Sequence, residues 1–116
     1  MAEYKEVRLG ASTADAEEVE LRFASGDLTL AFVDWQETPR KIVFHEVLGF
    51  RWQEFDQREV GEHGPIRDDT TYEVLQSSWR DRQAELQGER ADEYVHYKLC
   101  FNAAGVLDVL ARRDRD

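Results

Sequence analysis

Alternating hydrophobic and polar positions predict a β-hairpin early in the chain. Apolar residues recur at every second position on both sides of a short turn: Val19, Leu21, Phe23, Leu28, Leu30 and Phe32. This two-residue period is typical of half-buried strands. Ser25-Gly26-Asp27 supplies the turn between them, because glycine adopts positive φ without strain. We expect the apolar face of this hairpin, including Phe23 and Leu30, to lie in the core.

A proline interrupts the pattern, and a longer apolar stretch follows. Pro39 has no backbone N–H and cannot donate to a strand ladder. Residues 42–55 then carry apolar side chains at both odd and even positions, which predicts a central strand covered on both faces. Gly49 marks a bulge or a bend in it, and a short helical turn around His45–Leu48 is the alternative.

The next segment, residues 56–70, is polar, contains two glycines and a proline, and follows neither period. It predicts a long exposed loop, which in a compact domain is either functional or disordered. A strand is predicted from Thr71 to Gln76. A short helix follows over about 78–87, with Ser78 as its cap, Trp79 and Leu86 packed on the sheet, and Gly88 just past its end.

The chain closes with a second predicted hairpin. One strand face carries Val95, Tyr97, Leu99 and Phe101, and the other carries His96, Lys98 and Cys100. The sequence Asn102-Ala103-Ala104-Gly105 predicts the turn, and residues 106–111 the returning strand. These elements predict one α+β domain over residues 1–116. Its expected core is a mainly antiparallel, strongly curved sheet or partial barrel of six to eight strands, with one short helix.

The net charge of the chain indicates which binding partners are favoured, and it says little about the fold. Twenty-five acidic residues oppose fifteen basic ones, for a net charge of −10. A field of this sign repels phosphate backbones, so we expect neither nucleic acid nor an anionic membrane as a partner. A basic protein or a cationic ligand is favoured instead.

The single cysteine and the N-terminal sequence indicate a reducing compartment. Cys100 has no second cysteine with which to form an intrachain disulfide. The opening residues lack the basic and apolar regions of a secretory signal, and the apolar stretches are shorter than a membrane helix requires. We therefore expect a cytoplasmic protein.

No strong catalytic or metal-binding motif is present. His45-Glu46 begins like a zinc-protease helix, but Gly49 occupies the position of the second ligand. His96 and Cys100 lie roughly 13 Å apart along an extended strand, too far for a nucleophile and its base. We expect no metal and no cofactor, and chemistry is less favoured than binding.

The alternative hypothesis is a pocket that binds a small ligand or catalyses a reaction. Carboxylates flank the aromatic residues of the middle strands, and a carboxylate beside aromatic rings can act as a general acid. The residues expected to line such a pocket within the curved sheet are Asp34, Glu46, Trp52 and His96.

The profile resembles the small acidic immunity proteins that bacteria encode beside polymorphic toxins, and it is similar to many uncharacterised bacterial domains. The similarity rests on the acidic excess, on aromatic strands such as Phe50-Arg51-Trp52, and on the hairpin from Tyr97 to Leu110. The resemblance implies a non-enzymatic inhibitor that clamps a basic toxin through acids and exposed aromatics.

The leading hypothesis is accordingly an acidic module that binds a basic protein. Its expected contact residues are Trp35, Glu37, Glu62, Asp68 and Asp69. Two other hypotheses stay open: the ligand-binding or enzymatic pocket, and a structural homodimer joined through a sheet edge.

Overall fold

The structure is a computed structural model that describes residues 3–7, 9, 12–13, 16–54, 70–101 and 105–113. The described residues form eight strands, one α-helix and one 3₁₀ turn. Their bounds are β1 Glu3–Glu6, β2 Glu17–Ala24, β3 Asp27–Val33, β4 Pro39–Phe44, β5 Gly49–Glu54, β6 Thr71–Leu75, α1 Ser78–Leu86, the 3₁₀ turn Ala91–Glu93, β7 Tyr94–Phe101 and β8 Gly105–Arg112. None of these helices is long and apolar enough to cross a membrane.

The strands pair antiparallel in two sheets. One sheet has five strands in the order β1-β6-β7-β8-β5, and the other is the meander β2-β3-β4. The α+β class and the antiparallel pairing are confirmed. The expected single, strongly curved sheet or partial barrel is wrong, since the strands divide between two sheets that are neither closed nor strongly curved.

The chain passes from one sheet to the other between His45 and Leu48. The backbone N–H of Val47 donates to the carbonyl of Gly26 in one sheet, and that of Leu48 to Leu110 in the other. The predicted strand over residues 42–55 is therefore two strands in different sheets. Apolar residues of both parities arose from this change of sheet rather than from a strand covered on both faces.

The core lies between the two sheets. Its buried residues from the two layers are Ala16, Leu28, Leu30, Phe32, Phe44, Leu99, Phe101, Leu107, Val109 and Ala111. Phe32 and Phe101 meet across the interface edge to face, with ring centroids 5.3 Å apart. Leu30 is fully buried, as predicted, but the prediction for Phe23 is wrong because its side chain is 51% exposed. Phe23 lies on edge strand β2 and packs against Phe50 at the rim.

The helix covers the other face of the five-stranded sheet. The predicted helix is confirmed, but its N-cap is Ser77 rather than Ser78, because the Ser77 hydroxyl accepts from the backbone N–H of Arg80. Leu86 is 69% exposed instead of packed on the sheet, and Ala84 is the buried residue of the helix. Gly88 follows the end with φ +68°, as expected of a helix-terminating glycine.

Two predicted turns have different outcomes. The Ser25-Gly26 turn is confirmed, with φ values of +53° and +84° and with Ala24 paired to Asp27. The turn at residues 102–104 lies outside the described residues, as does all of the predicted loop except Thr70. Thr70 is buried, and its carbonyl accepts from the backbone N–H of Cys100.

Candidate functional site

The turn between β3 and β4 is organised by one carboxylate. Oδ1 of Asp34 accepts from the backbone N–H groups of Gln36 (3.0 Å) and Thr38 (2.9 Å). Its Oδ2 accepts from Nε of Arg40 at 2.9 Å. The sequence favours this arrangement, since Asp readily bonds backbone groups two to four residues ahead and closes a turn.

The hydrogen bonds also fix the charge of Asp34. The side-chain hydrogen bond from Arg40, followed by the backbone N–H of Thr38, lowers the pKa of Asp34 below its usual value, although burial opposes this. The carboxylate is ionised and committed to its own turn. It is poorly suited to act as a general acid.

Trp35 projects from this turn. Its side chain is 58% exposed, which places it at the surface as expected. Glu37 is also exposed and adopts φ +61°, an uncommon conformation for a residue with a side chain. The turn thus presents a large aromatic ring and a carboxylate on a backbone that Asp34 holds in place.

The register of β2 brings further acids to the same end of the sheet. Val33, immediately before the turn, pairs with Glu17. An irregularity between Glu17 and Glu20 inserts one extra residue, and Glu18 adopts φ +54° there. All three glutamates are exposed. We call Trp35, Glu37, Glu17, Glu18 and Glu20 the Trp35 surface.

Sequence reasoning found only part of this surface. Trp35 and Glu37 were predicted, whereas the acids of β2 were missed. Part of the signal was available, because counting back from the Ser25-Gly26 turn places Glu20 opposite Ala31 and Glu18 beside the end of β3. The extra residue that brings Glu17 opposite Val33 is not visible in the sequence. The other predicted contact residues, Glu62, Asp68 and Asp69, lie outside the described residues.

A second polar cluster is buried between the helix and the five-stranded sheet. Nε2 of His96 lies 2.7 Å from Oδ1 of Asp108 and donates to this carboxylate. The Ser77 hydroxyl lies 2.6 Å from Nδ1 of the same ring, within hydrogen-bond distance. Trp79 closes over the imidazole, with ring centroids 5.0 Å apart.

Two cationic side chains on the same sheet face also contact the carboxylate of Asp108. Lys98 lies opposite it on β7 and approaches Oδ1 to 3.1 Å, and Nε of Arg51 on β5 reaches Oδ2 at 3.3 Å. Burial by itself raises the pKa of Asp108. The hydrogen bond from His96 and the charge of Lys98 outweigh burial and bring the pKa to about 2.

Serine, histidine and aspartate in one hydrogen-bonded chain are also the residue types of a hydrolase triad. Here the serine hydroxyl already makes two hydrogen bonds, since it caps α1 and is hydrogen-bonded to His96. All three residues are buried, with exposed fractions of 3% to 5%. The chain therefore joins the helix to the sheet, and it does not present a nucleophile to a substrate.

The four residues of the predicted pocket occupy separate places. Asp34 closes its turn, and Glu46 is exposed in the connection between the sheets. Trp52 packs on the core against Phe101, while His96 lies on the opposite sheet face beneath α1. The structure does not bring these four residues together. Over the described part of the chain, no group of three or more His, Cys, Asp and Glu residues could hold a metal ion.

Comparison with known proteins found no matching family model, no similar curated protein and no similar solved structure.

Proposed function

We propose that this chain is a non-enzymatic protein-binding module that docks a basic partner through the Trp35 surface. The observation that carries the proposal is the 58% exposure of Trp35 on a turn pinned by Asp34. A tryptophan exposed to this extent forgoes burial of a large apolar side chain, which a partner pocket would restore.

The turn geometry suits Trp35 to act as an interface anchor. Tryptophan is enriched among the residues whose truncation costs an interface most. Binding also loses free energy when loops must be ordered, and a turn with hydrogen bonds at 2.9 and 3.0 Å has little left to order.

Charge supports a basic partner. Glu37 is exposed on the same turn as Trp35, Glu17, Glu18 and Glu20 are exposed on the neighbouring strand, and the chain as a whole carries a net charge of −10. Such a field speeds the approach of a cationic surface and disfavours an anionic one. This is the recognition that the resemblance to immunity proteins implies, so we assign the module to the inhibitor type.

The test compares proteins retained from source-cell lysate by immobilised wild type and two variants. Trp35→Ala removes the proposed anchor. Leu86→Ala is the matched control, since Leu86 is 69% exposed on the helix, outside the Trp35 surface. Melting temperatures of all three proteins establish that they are folded.

We expect one basic protein that wild type and Leu86→Ala retain and Trp35→Ala loses. Its affinity should fall as salt rises from about 0.05 to about 0.5 M, which shortens the Debye length roughly threefold. Replacing Glu17 and Glu18 together by Gln should slow association more than it speeds dissociation. A partner retained equally by Trp35→Ala, or insensitive to salt, would rule this surface out. Self-association in light scattering that Trp35→Ala abolishes would identify the homodimer instead.

A further inference from the structure

A cleft opens at the end of β4 away from the Trp35 turn. It has a volume of about 450 Å³, within the range of small-molecule sites. Its lining residues come from β4 and the connection after it, from β7 and β8, from Leu9 near the N-terminus, and from Arg113 just past the end of β8.

The floor of the cleft is apolar and already packed. The rings of Phe44 and Tyr97 lie 5.6 Å apart, tilted by 41°. Phe44 and Ala111 belong to the buried core, and Leu9 and Ile42 pack against it. The floor is therefore part of the rigid sandwich, which suits a preformed pocket.

The rim concentrates basic groups in an acidic molecule. Three lining residues carry basic nitrogen groups, His45, Arg112 and Arg113, and one, Glu46, carries a carboxylate. Asp27 also pairs with His45, and Glu93 with Arg112. In a chain with a net charge of −10, the cleft mouth therefore gathers basic groups with which a ligand carboxylate can pair.

Contacts with Glu93 and Tyr94 position the guanidinium of Arg112 so that it can pair with a second carboxylate. Its terminal nitrogen pairs with Glu93 at 3.1 Å, and the group lies over the ring of Tyr94 at 5.7 Å. The carboxylate of Glu46 stands 3.7 Å from Nε, beyond hydrogen-bond distance, and that side chain is 69% exposed. The carboxylate of Glu46 is thus only weakly paired with Arg112, and a ligand carboxylate can displace it into solvent.

We propose that the cleft binds a small amphiphilic carboxylate, with its apolar part on the Phe44–Tyr97 floor and its carboxylate on Arg112 in place of Glu46. Arg113 at the rim adds a second cation. The volume equals that of roughly fifteen waters at ~30 Å³ each, which accommodates a chain of about ten non-hydrogen atoms. The proposal is independent of the partner site, because the Trp35 turn precedes β4 and the cleft lies at its other end.

The test uses octanoate as the probe and octanol as its uncharged match, with affinity measured by calorimetry on the full chain. Arg113→Gln and Arg112→Gln remove the cations of the rim, and Glu46→Gln removes the competing carboxylate. Arg82→Gln is the matched control, since Arg82 is exposed on α1 and does not line the cleft. Amide NMR shifts locate the bound probe.

We expect octanoate to bind with shifts centred on Phe44, Tyr97 and Ala111. Arg113→Gln should weaken it roughly threefold, as for an exposed ion pair, and Arg112→Gln roughly tenfold or more. Glu46→Gln should tighten it, and Arg82→Gln should leave it unchanged. Equal binding of octanol and octanoate, shifts centred elsewhere, or no binding by a folded wild type would overturn the proposal. None of these results bears on binding at Trp35.

Discussion

Nε2 of His96 lies 2.7 Å from Oδ1 of Asp108, on the neighbouring strand and beneath helix α1. Asp108 stands opposite Lys98 rather than His96, so the bond runs diagonally across the β7–β8 ladder. Through Ser77 the same chain of hydrogen bonds reaches the first turn of α1. One carboxylate therefore links strands β5, β7 and β8 to the helix.

Removing that carboxylate should be costly. Asp108→Ala leaves His96 without its acceptor and removes the counter-charge of Lys98 and Arg51, so we expect a loss of roughly 3–5 kcal/mol. Urea denaturation monitored by circular dichroism measures it. Asp92→Ala is the control, because Asp92 pairs with Arg90 where both side chains are largely exposed, and its loss should cost less than about 1 kcal/mol. Equal losses would contradict the buried role of Asp108.

Stability should depend on acid pH through the same residue. The pKa of Asp108 is about 2 in the folded state and near 3.9 in an unfolded chain. Because folding lowers it, the carboxylate stabilises the fold fully above about pH 5, and this contribution disappears as pH falls through 2. We expect about 2 kcal/mol from it. The free energy of unfolding of Asp108→Asn should therefore fall less than that of wild type between pH 5 and pH 2; parallel profiles would refute the assignment.

Alanine substitutions of the neighbouring residues Ser77 and Ser78 should have very different effects on stability. Ser77→Ala removes the helix cap and the partner of His96, and we expect a loss of about 1–2 kcal/mol. Ser78→Ala alters an exposed first helical residue, where alanine is well tolerated, so the change should stay within about 0.5 kcal/mol. Thermal melts of both variants decide the point. A greater loss for Ser78→Ala would place the cap one residue later.

Alanine substitutions at two apolar residues of the first hairpin should also cost different amounts of stability. Leu30 is fully buried, so Leu30→Ala should cost roughly 2–5 kcal/mol. Phe23 is half exposed and has its ring against Phe50, so Phe23→Ala should cost only about 0.5–1.5 kcal/mol. Chemical denaturation gives both values. A similar cost at the two positions would mean that Phe23 is buried.

Local patterns predicted the elements that depend on neighbouring residues. The Ser25-Gly26 hairpin, the helix over 78–86 and the two faces of β7 all follow from short-range spacing. The prediction of one strand over residues 42–55 was wrong. Alternation of odd and even positions shows which residues share a strand face, but it does not show to which sheet that strand belongs. Phe23 was misjudged because an alternating pattern does not reveal that a strand is at an edge.

The same distinction holds for the sites. The exposure of Trp35 was predictable from its place beside a proline turn, which is local information. The link from Ser77 to His96 and Asp108 joins residues 19 and 12 positions apart, and it exists only once β7, β8 and α1 are assembled. The cleft likewise requires two sheets to meet, and of the predicted pocket residues it contains Glu46 alone.

The division into two sheets also sets an order of folding. The β2-β3-β4 meander is contiguous over residues 17–44, so its ladders form by closing short loops. β1 must wait for β6, because its paired residues run from Glu6 with Tyr72 to Glu3 with Leu75, 66 to 72 positions apart. Long-range closure of this kind slows folding. We therefore expect β1, which precedes the other described strands in the chain, to be the last of them to join a sheet, and its amides to exchange with solvent ahead of those in β7 and β8.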